Sequence, residues 1–264
     1  MDLHLENTIY KLDLRRNNIG EKKAYELAEM IKVNNNLTEI NLSNNEMGEN
    51  GGIALANALS TNTTLLNLHV DDNNFEELAF KHITNSLKIN TTLVSLHISY
   101  NRVGEIGAHY LADMLENNTT LTSLNLNLNL LRKGGNIIAQ SLKNNNSLLE
   151  LNIVGNHFDD KIAQSFSDLL RNNCTLTSLD LSTNNIREKG GIALALSLLI
   201  NTTLTSLNLD NNNIGENGAL AFSSILKKNT VLEYLNLRGN QINNEGYNAI
   251  IKSIENNRSK NCVL

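Results

Sequence analysis

The stretch LTSLNLDNNNIGENGALAFSSILKKNTV, residues 204–231, decides the fold because its pattern recurs along the whole chain of 264 residues. Its most regular part is the string LxLxxNx followed by an aliphatic residue or Phe. Successive copies of this string begin 28 residues apart, except for one step of 27 residues. Such a period indicates a solenoid, because one repeat cannot bury its apolar face without a neighbour. The copies begin at Leu12, Ile40, Leu68, Leu96, Leu124, Leu151, Leu179, Leu207 and Leu235.

Each repeat is predicted to contain a short strand followed by a helix. In residues 204–231, Leu207 and Leu209 alternate with polar residues, which predicts a strand with its leucines turned inward. The apolar residues of 218–226 then follow helical spacing. A glycine recurs four residues after the aliphatic residue that ends the repeat string, as at Gly218. Since glycine disfavours a helix, its recurrence there predicts close packing of the helix.

One asparagine occupies the same position in every repeat, directly after the strand. A turn inside a solenoid leaves backbone N–H and C=O groups away from water, and a carboxamide carries both a donor and an acceptor. We therefore expect these side chains to form a structural ladder that joins neighbouring coils. The ladder positions are Asn17, Asn45, Asn73, Asn101, Asn129, Asn156, Asn184, Asn212 and Asn240.

A second group of asparagines marks the predicted helix ends. Because Asn tolerates the left-handed conformation that ends helices, these residues are interpreted as helix C-caps, followed by Thr at the re-entry into a strand. Several of them also match the NxT glycosylation pattern, which the cap interpretation explains without a glycan. The boundaries begin at Asn34, Asn62, Asn90, Asn118, Asn172 and Asn201.

Composition and charge exclude several classes of protein. The net charge of −5 and the pI of about 5.7, with no basic stripe, argue against nucleic-acid binding. The longest apolar run, residues 190–200, is too short for a membrane span. Residues 1–14 lack the pattern of a secretory signal, and the two cysteines form no disulfide framework. These features predict a cytoplasmic protein without a membrane span.

The repeat string LxxLxLxxNxIxxxGAxxLAxxL resembles the leucine-rich repeats of the ribonuclease-inhibitor type, which Ran GTPase-activating proteins and NOD-like receptors share. The resemblance covers essentially the whole chain. It implies an α/β leucine-rich repeat solenoid with a horseshoe shape, in which parallel strands line the concave face and helices the convex face. The chain is expected to form a single domain, residues 1–264, of about nine repeats of 28 residues.

The outward side chains of the strands are the candidate binding surface, since they vary while the repeat frame stays constant. Aromatic and arginine side chains anchor many protein interfaces, and uneven charge orients a partner. The residues at the N-terminal end of this face, Lys11, Arg15 and Arg16, are basic, whereas acidic residues follow. The predicted partner-binding residues are His69, Asp71, Asp72, His97, Tyr100, Asp210, Tyr234 and Arg238.

His69 and His97 are expected to stack on neighbouring strands with Asp71 on the same face, because side chains in one column lie about 4.8 Å apart. Two imidazoles and a carboxylate are ligands that suit a transition metal. No fourth ligand is evident in the sequence, and polar side chains on neighbouring strands commonly stack without an ion. We therefore predict no metal and no cofactor.

Motifs of catalysis are missing from the sequence. It holds no P-loop, HExxH, GxSxG or CxxC motif, and an open concave sheet excludes water poorly. We therefore predict a non-enzymatic module that binds a protein partner through its concave face. Near-identical repeats rich in Asn resemble leucine-rich-repeat effectors that intracellular bacteria deliver into the host cytoplasm.

Two alternative functions stay open on the same resemblance. One is a small GTPase regulator like the Ran GTPase-activating proteins, although their acidic tail has no counterpart in the basic ending NNRSKNCVL. The other is an enzyme inhibitor of the ribonuclease-inhibitor kind. Because neither end shows a polar capping repeat, we expect weak self-association through uncapped ends or a helix-only cap at the C-terminal end.

Overall fold

The computed structural model describes residues 9–255 and 261–264, in which strands and helices alternate along the chain. The strands are β1 Lys11–Asp13, β2 Glu39–Asn41, β3 Asn67–His69, β4 Ser95–His97, β5 Ser123–Asn125, β6 Glu150–Asn152, β7 Ser178–Asp180, β8 Ser206–Asn208, β9 Tyr234–Asn236 and β10 Asn261–Val263. The helices are α1 Gly20–Val33, α2 Gly48–Leu59, α3 Glu77–Ile89, α4 Gly104–Asn117, α5 Gly134–Ser141, α6 Asp160–Asn172, α7 Glu188–Ser197, α8 Gly215–Leu226 and α9 Asn244–Ile254.

All ten of these strands form one parallel sheet in sequence order. The repeat sets the register, because equivalent leucines pair across each step, as Leu68 does with Leu96. The pairing of Leu124 with Leu151 shows that the 27-residue step keeps the same register. The predicted α/β leucine-rich repeat solenoid, with a sheet on one face and helices on the other, is confirmed.

The core lies between the sheet and the helices and is mainly aliphatic. The central leucine of a typical strand, such as Leu68 or Leu179, is fully buried, while its neighbours on the strand are half-buried. Burying one such side chain contributes about 1.5–3 kcal/mol. Gly51 allows the helices to approach closely, since a Cβ there would lie 2.9 Å from the Cβ of Ala24 in the preceding helix. At Gly51, the close contact is therefore between two neighbouring helices.

The asparagines after the strands bridge neighbouring coils. The Asn45 amide donates to the carbonyl oxygens of Leu14 and Leu42, both at 2.8 Å, and its side-chain oxygen accepts the Asn17 N–H at 2.8 Å. From Asn45 to Asn240 all eight side chains at this position are buried and donate to the preceding coil. Asn17, in the first coil, is exposed, and its amide donates to the Arg15 carbonyl of its own turn.

The asparagines at the helix ends form a second ladder, and their prediction as left-handed caps is wrong. Asn90 has extended backbone angles, φ −71° and ψ 124°. Asn62 shows the common pattern: its amide donates to the Ile31 carbonyl of the preceding coil at 2.8 Å, and its oxygen accepts the Leu65 N–H at 2.8 Å. The amide nitrogen that a glycan would occupy is thus engaged. Asn173, not the exposed Asn172, has this position in its repeat.

The shortened repeat changes only the start of its helix. Helix α5 has eight residues, and its first N–H groups bond three residues back, Gly134 to Leu131 at 2.8 Å and Gly135 to Arg132 at 3.2 Å. Such bonds belong to a tighter 3₁₀ turn. The missing residue is therefore absorbed before the helix.

A tenth strand follows the last repeat, so a helix-only cap at the C-terminal end is wrong. Strand β10 pairs in parallel with β9, and the Leu237 N–H donates to the Val263 carbonyl at 2.7 Å. Cys262 and Leu264 pack, partly buried, against the core. The segment 256–260 between α9 and β10, like residues 1–8, lies outside the described residues. The first five residues of the basic ending NNRSKNCVL belong to this segment.

Candidate functional site: the concave face

The N-terminal third of the sheet carries a polar cleft on its concave face. The cleft has a volume of about 870 Å³. It brings together three of the predicted binding residues, His69, Asp71 and His97, all of them half-buried. The other lining residues are Asp13, Arg15, Arg16, Asn41, Ser43 and Asn44.

The two imidazoles of the cleft stack as the strand register requires. His69 and His97 are paired residues of β3 and β4, and their ring centroids lie 4.2 Å apart at an interplanar angle of 44°. Burial lowers the pKa of His97 from its ordinary value, and the His69 charge lowers it further, against smaller opposing effects of Asp71 and Glu150. The neutral imidazole of His97 is therefore favoured.

Asp71 is held beside this pair by hydrogen bonds from both neighbouring coils. One carboxylate oxygen accepts the Ser99 N–H at 2.6 Å, and the other accepts the Ser43 hydroxyl at 3.4 Å. Among the described residues, Asp71 forms no salt bridge with Lys or Arg. One ligand atom from each of His69, Asp71 and His97 lies within 4.8 Å of the others.

The basic residues at the N-terminal end of the face are largely neutralised by pairing. Arg15 contacts Asp13 at 2.7 Å, and this hydrogen-bonded guanidinium lowers the pKa of the Asp13 carboxyl. Lys11 contacts Glu39 at 2.7 Å. The charge asymmetry predicted from the sequence is thus reduced to Arg16, which forms no salt bridge within the described part of the chain.

Tyr100 lies outside the polar cleft and lines a second, apolar cleft that the sequence analysis missed. This cleft of about 290 Å³ lies where strands β4 to β7 end. Leu128 and Leu130, exposed by 48% and 40%, form its walls with Tyr100, exposed by 55%. Gly155 forms its floor, since a Cβ there would lie 2.5 Å from Leu128 Cδ2. Arg102, His157 and Thr183 complete the lining.

A signal for the apolar cleft is present in the sequence. Leu128 and Leu130 directly precede and follow the ladder residue Asn129. The position after the ladder residue is polar in all the other repeats, and the position before it is otherwise polar, Tyr or Gly. Two aliphatic residues at these positions therefore distinguish this repeat from the others.

The remaining predicted residues lie apart from the polar cleft. Asp72 follows β3 with a left-handed backbone, φ 51°. Asp210, Tyr234 and Arg238 lie on or after β8 and β9, about 20 Å from His97 at the spacing of parallel strands. One Asp210 oxygen accepts the Asn211 amide at 2.9 Å, while the other is buried with no hydrogen-bond partner among the described residues. Of the eight predicted binding residues, the structure thus places three in the polar cleft and one, Tyr100, in the apolar cleft, while the other four line neither.

Comparison with known proteins identifies the repeats. The profile of the Leucine Rich repeat family matches more than half of the chain, at residues 33–56, 90–112, 144–167, 172–195, 201–223 and 228–250. A search of curated proteins found no match. Within the described residues, no helix is long and apolar enough to cross a membrane.

Solved structures show the same fold at low sequence identity. The leucine-rich repeat-containing protein LegL7 from Legionella pneumophila is 21% identical, with a TM-score of 0.62 over 95% of this chain and 82% of that one. Human 5T4 is 17% identical, with a TM-score of 0.58 over 86% of this chain and 79% of that one. At such identities the likeness shows the fold alone. On the evidence of its repeats, the chain belongs to the leucine-rich repeat family.

Proposed function

We propose that this chain, one leucine-rich repeat domain over residues 1–264, is a non-enzymatic module that binds a protein partner through its concave face. Leucine-rich repeats generally mediate protein–protein interaction, and a solenoid offers an extended surface for it. The observation that carries the choice of face is the apolar cleft of Tyr100, Leu128 and Leu130 at its edge, beside the polar cleft of His69 and His97.

Two features of Leu128 and Leu130 support a role for these residues in binding a partner. Both side chains are exposed, and both backbones are left-handed, with φ of 55° and 57°. A left-handed conformation costs a residue with a side chain about 1–3 kcal/mol. Asn or Gly would reduce this cost and would suit an exposed position better. A partner that covers the two leucines would offset the cost through burial of apolar surface.

Polar and aromatic anchors on both sides of the apolar cleft fit a protein rather than a small molecule. Tyr100, Tyr234 and Arg238 are residue types that dominate protein interfaces, and they are spread over six neighbouring strands. The acidic residues Asp71, Asp72 and Asp210 would orient a partner with a complementary basic surface. Each group alone is small, so binding would require contact along much of the concave face.

Capture of a partner from eukaryotic cell lysate tests the proposal. The bait is compared with a variant carrying Asp71→Arg, Tyr100→Ala and Tyr234→Ala on the concave face. A matched control carries Glu26→Arg, Tyr25→Ala and Tyr247→Ala on the exposed sides of α1 and α9. A protein captured by the wild-type chain and the control, but lost by the folded concave variant, supports the proposal. Equal capture by all three places binding elsewhere.

The proposed setting is the cytoplasm, and for an effector delivered by a bacterium the cytoplasm of the host cell. This part of the proposal rests on the near-identical, Asn-rich repeats and not on the structural neighbours. The GTPase-regulator alternative predicts faster GTP hydrolysis when the chain is added to a panel of small GTPases. The inhibitor alternative predicts one tight enzyme partner whose activity falls on binding. Self-association through the ends stays a prediction.

A further inference from the structure

We propose that His69, Asp71 and His97 form a binding site for a divalent transition metal of the zinc class on the concave face. Their ligand atoms lie within 4.8 Å of one another in the polar cleft. Imidazole suits zinc, copper and nickel, and a carboxylate completes many zinc sites. The proposal does not depend on the partner protein, since the metal would bind to the isolated chain.

The distances require only small side-chain movements. In a tetrahedral zinc site with bonds of about 2.0–2.1 Å, neighbouring ligand atoms lie about 3.3 Å apart. The paired backbones of β3 and β4 place His69 and His97 side by side, with ring centroids 4.2 Å apart. The 44° angle between the rings leaves them short of close parallel stacking. Rotation of the side chains alone would bring the three ligand atoms around one ion.

The carboxylate of the site is oriented in advance. The Ser99 N–H and the Ser43 hydroxyl donate to its two oxygens, which leaves lone pairs directed elsewhere. Hydrogen bonds of this kind orient metal ligands, and their loss typically lowers metal affinity about 10–100-fold. No Lys or Arg of the described residues forms a salt bridge with Asp71, so a metal ion would not have to displace a basic side chain from its carboxylate.

The lack of a fourth protein ligand does not exclude the site. Structural zinc sites are closed by four protein ligands, whereas open sites use three and leave the fourth position to water. The half-burial of His69, Asp71 and His97 on an open face matches the second kind.

Titration of the untagged protein with Zn²⁺ in a calorimeter, and with Co²⁺ in a spectrophotometer, tests the site. All proteins carry Cys174→Ser, because the exposed Cys174 thiol would bind the same metals. We expect one Zn²⁺ per chain with a micromolar dissociation constant, and Co²⁺ absorption bands typical of tetrahedral coordination. His69→Gln, His97→Gln and Asp71→Asn are each expected to weaken binding at least about tenfold.

His109→Gln is the matched control, because His109 is an exposed imidazole on α4. It should leave the affinity unchanged, and thermal unfolding without metal should show that each variant is folded. Binding of Zn²⁺ weaker than about 1 mM, which corresponds to roughly −4 kcal/mol, would overturn the proposal. Tight binding that His97→Gln leaves unchanged would overturn it equally, since the metal would then lie elsewhere.

Discussion

The side-chain oxygen of Asn129 accepts the backbone N–H of Asn101, which lies 28 residues earlier, at 2.9 Å. The amide of Asn129 donates at 3.0 Å to the Ile98 carbonyl of the same preceding coil. One side chain therefore satisfies two backbone groups of another repeat, in a region that water does not reach. Each of the eight repeats that carry β2 to β9 contains such a residue.

Asn129→Ala is expected to lower the free energy of unfolding by about 1–3 kcal/mol, because it leaves buried backbone groups unpaired. Chemical denaturation measures the change. Asn17→Ala is the control, since Asn17 is exposed and its amide donates to Arg15 within its own turn. An unchanged midpoint for Asn129→Ala, or an equal loss for Asn17→Ala, would contradict the structural role of the ladder.

Substitutions at Asn62 separate the second ladder from a left-handed helix cap. Asn62→Gly should be as destabilising as Asn62→Ala, by about 1–3 kcal/mol, because both remove the same buried hydrogen bonds. A left-handed cap predicts instead that Gly is tolerated or stabilising. Equilibrium unfolding of the two variants decides between these results.

Leu128→Asn and Leu130→Asn test the apolar cleft. Because both leucines are exposed and left-handed, the double variant should be as stable as the wild type or more stable by up to about 1 kcal/mol. The same variant should lose capture of the partner protein. A clear loss of stability would mean that the leucines support the fold, and retained capture would remove the cleft from the binding surface.

The low pKa of His97 predicts a loss of stability in mild acid. The unfolded chain takes up a proton near the ordinary histidine pKa of about 6.5, whereas burial delays protonation in the folded chain. The unfolded state therefore binds more protons as the pH falls below this value, and the free energy of unfolding decreases. Denaturation at a series of pH values should show a shallower dependence for His97→Gln. An NMR titration that gives an ordinary or raised pKa would refute the argument.

Deletion of residues 261–264 should increase self-association. Strand β10 covers the edge of β9, and its Val263 carbonyl accepts the Leu237 N–H. Exposed strand edges pair readily with other chains. Light scattering coupled to size-exclusion chromatography, at matched concentrations of both chains, measures the difference. Identical masses would indicate that the edge of β9 does not drive association.

The sequence predicts the fold closely because the repeat itself defines the strand register. Leu124 and Leu151 pair across the shortened repeat as the alignment of the repeats requires. The repeat also brings His69 and His97 together, since equivalent positions of adjacent repeats become neighbours in the sheet. Contacts between equivalent positions are thus readable from the sequence.

The features that the sequence does not predict depend on backbone conformation and on side chains that form hydrogen bonds with a neighbouring repeat. The position of Asn62 in the sequence indicates a helix end, whereas its amide donates a hydrogen bond to the preceding coil. The apolar cleft is lined by Leu128 and Leu130, and the repeat pattern does not indicate the left-handed backbones of these two residues. Strand β10 lies beyond the last copy of the repeat string, so periodicity alone does not predict it.

The 27-residue repeat shows where this molecule tolerates a change in length. From the second repeat to the eighth, each coil has two asparagines that donate to carbonyls of the preceding coil, and a strand that pairs with its neighbours in register. The single deletion falls in the short segment between Asn129 and the first turn of α5, outside both asparagine positions and outside the strand. Insertions and deletions that persist in evolution should therefore collect in this segment, while elsewhere the array would grow or shrink by whole coils.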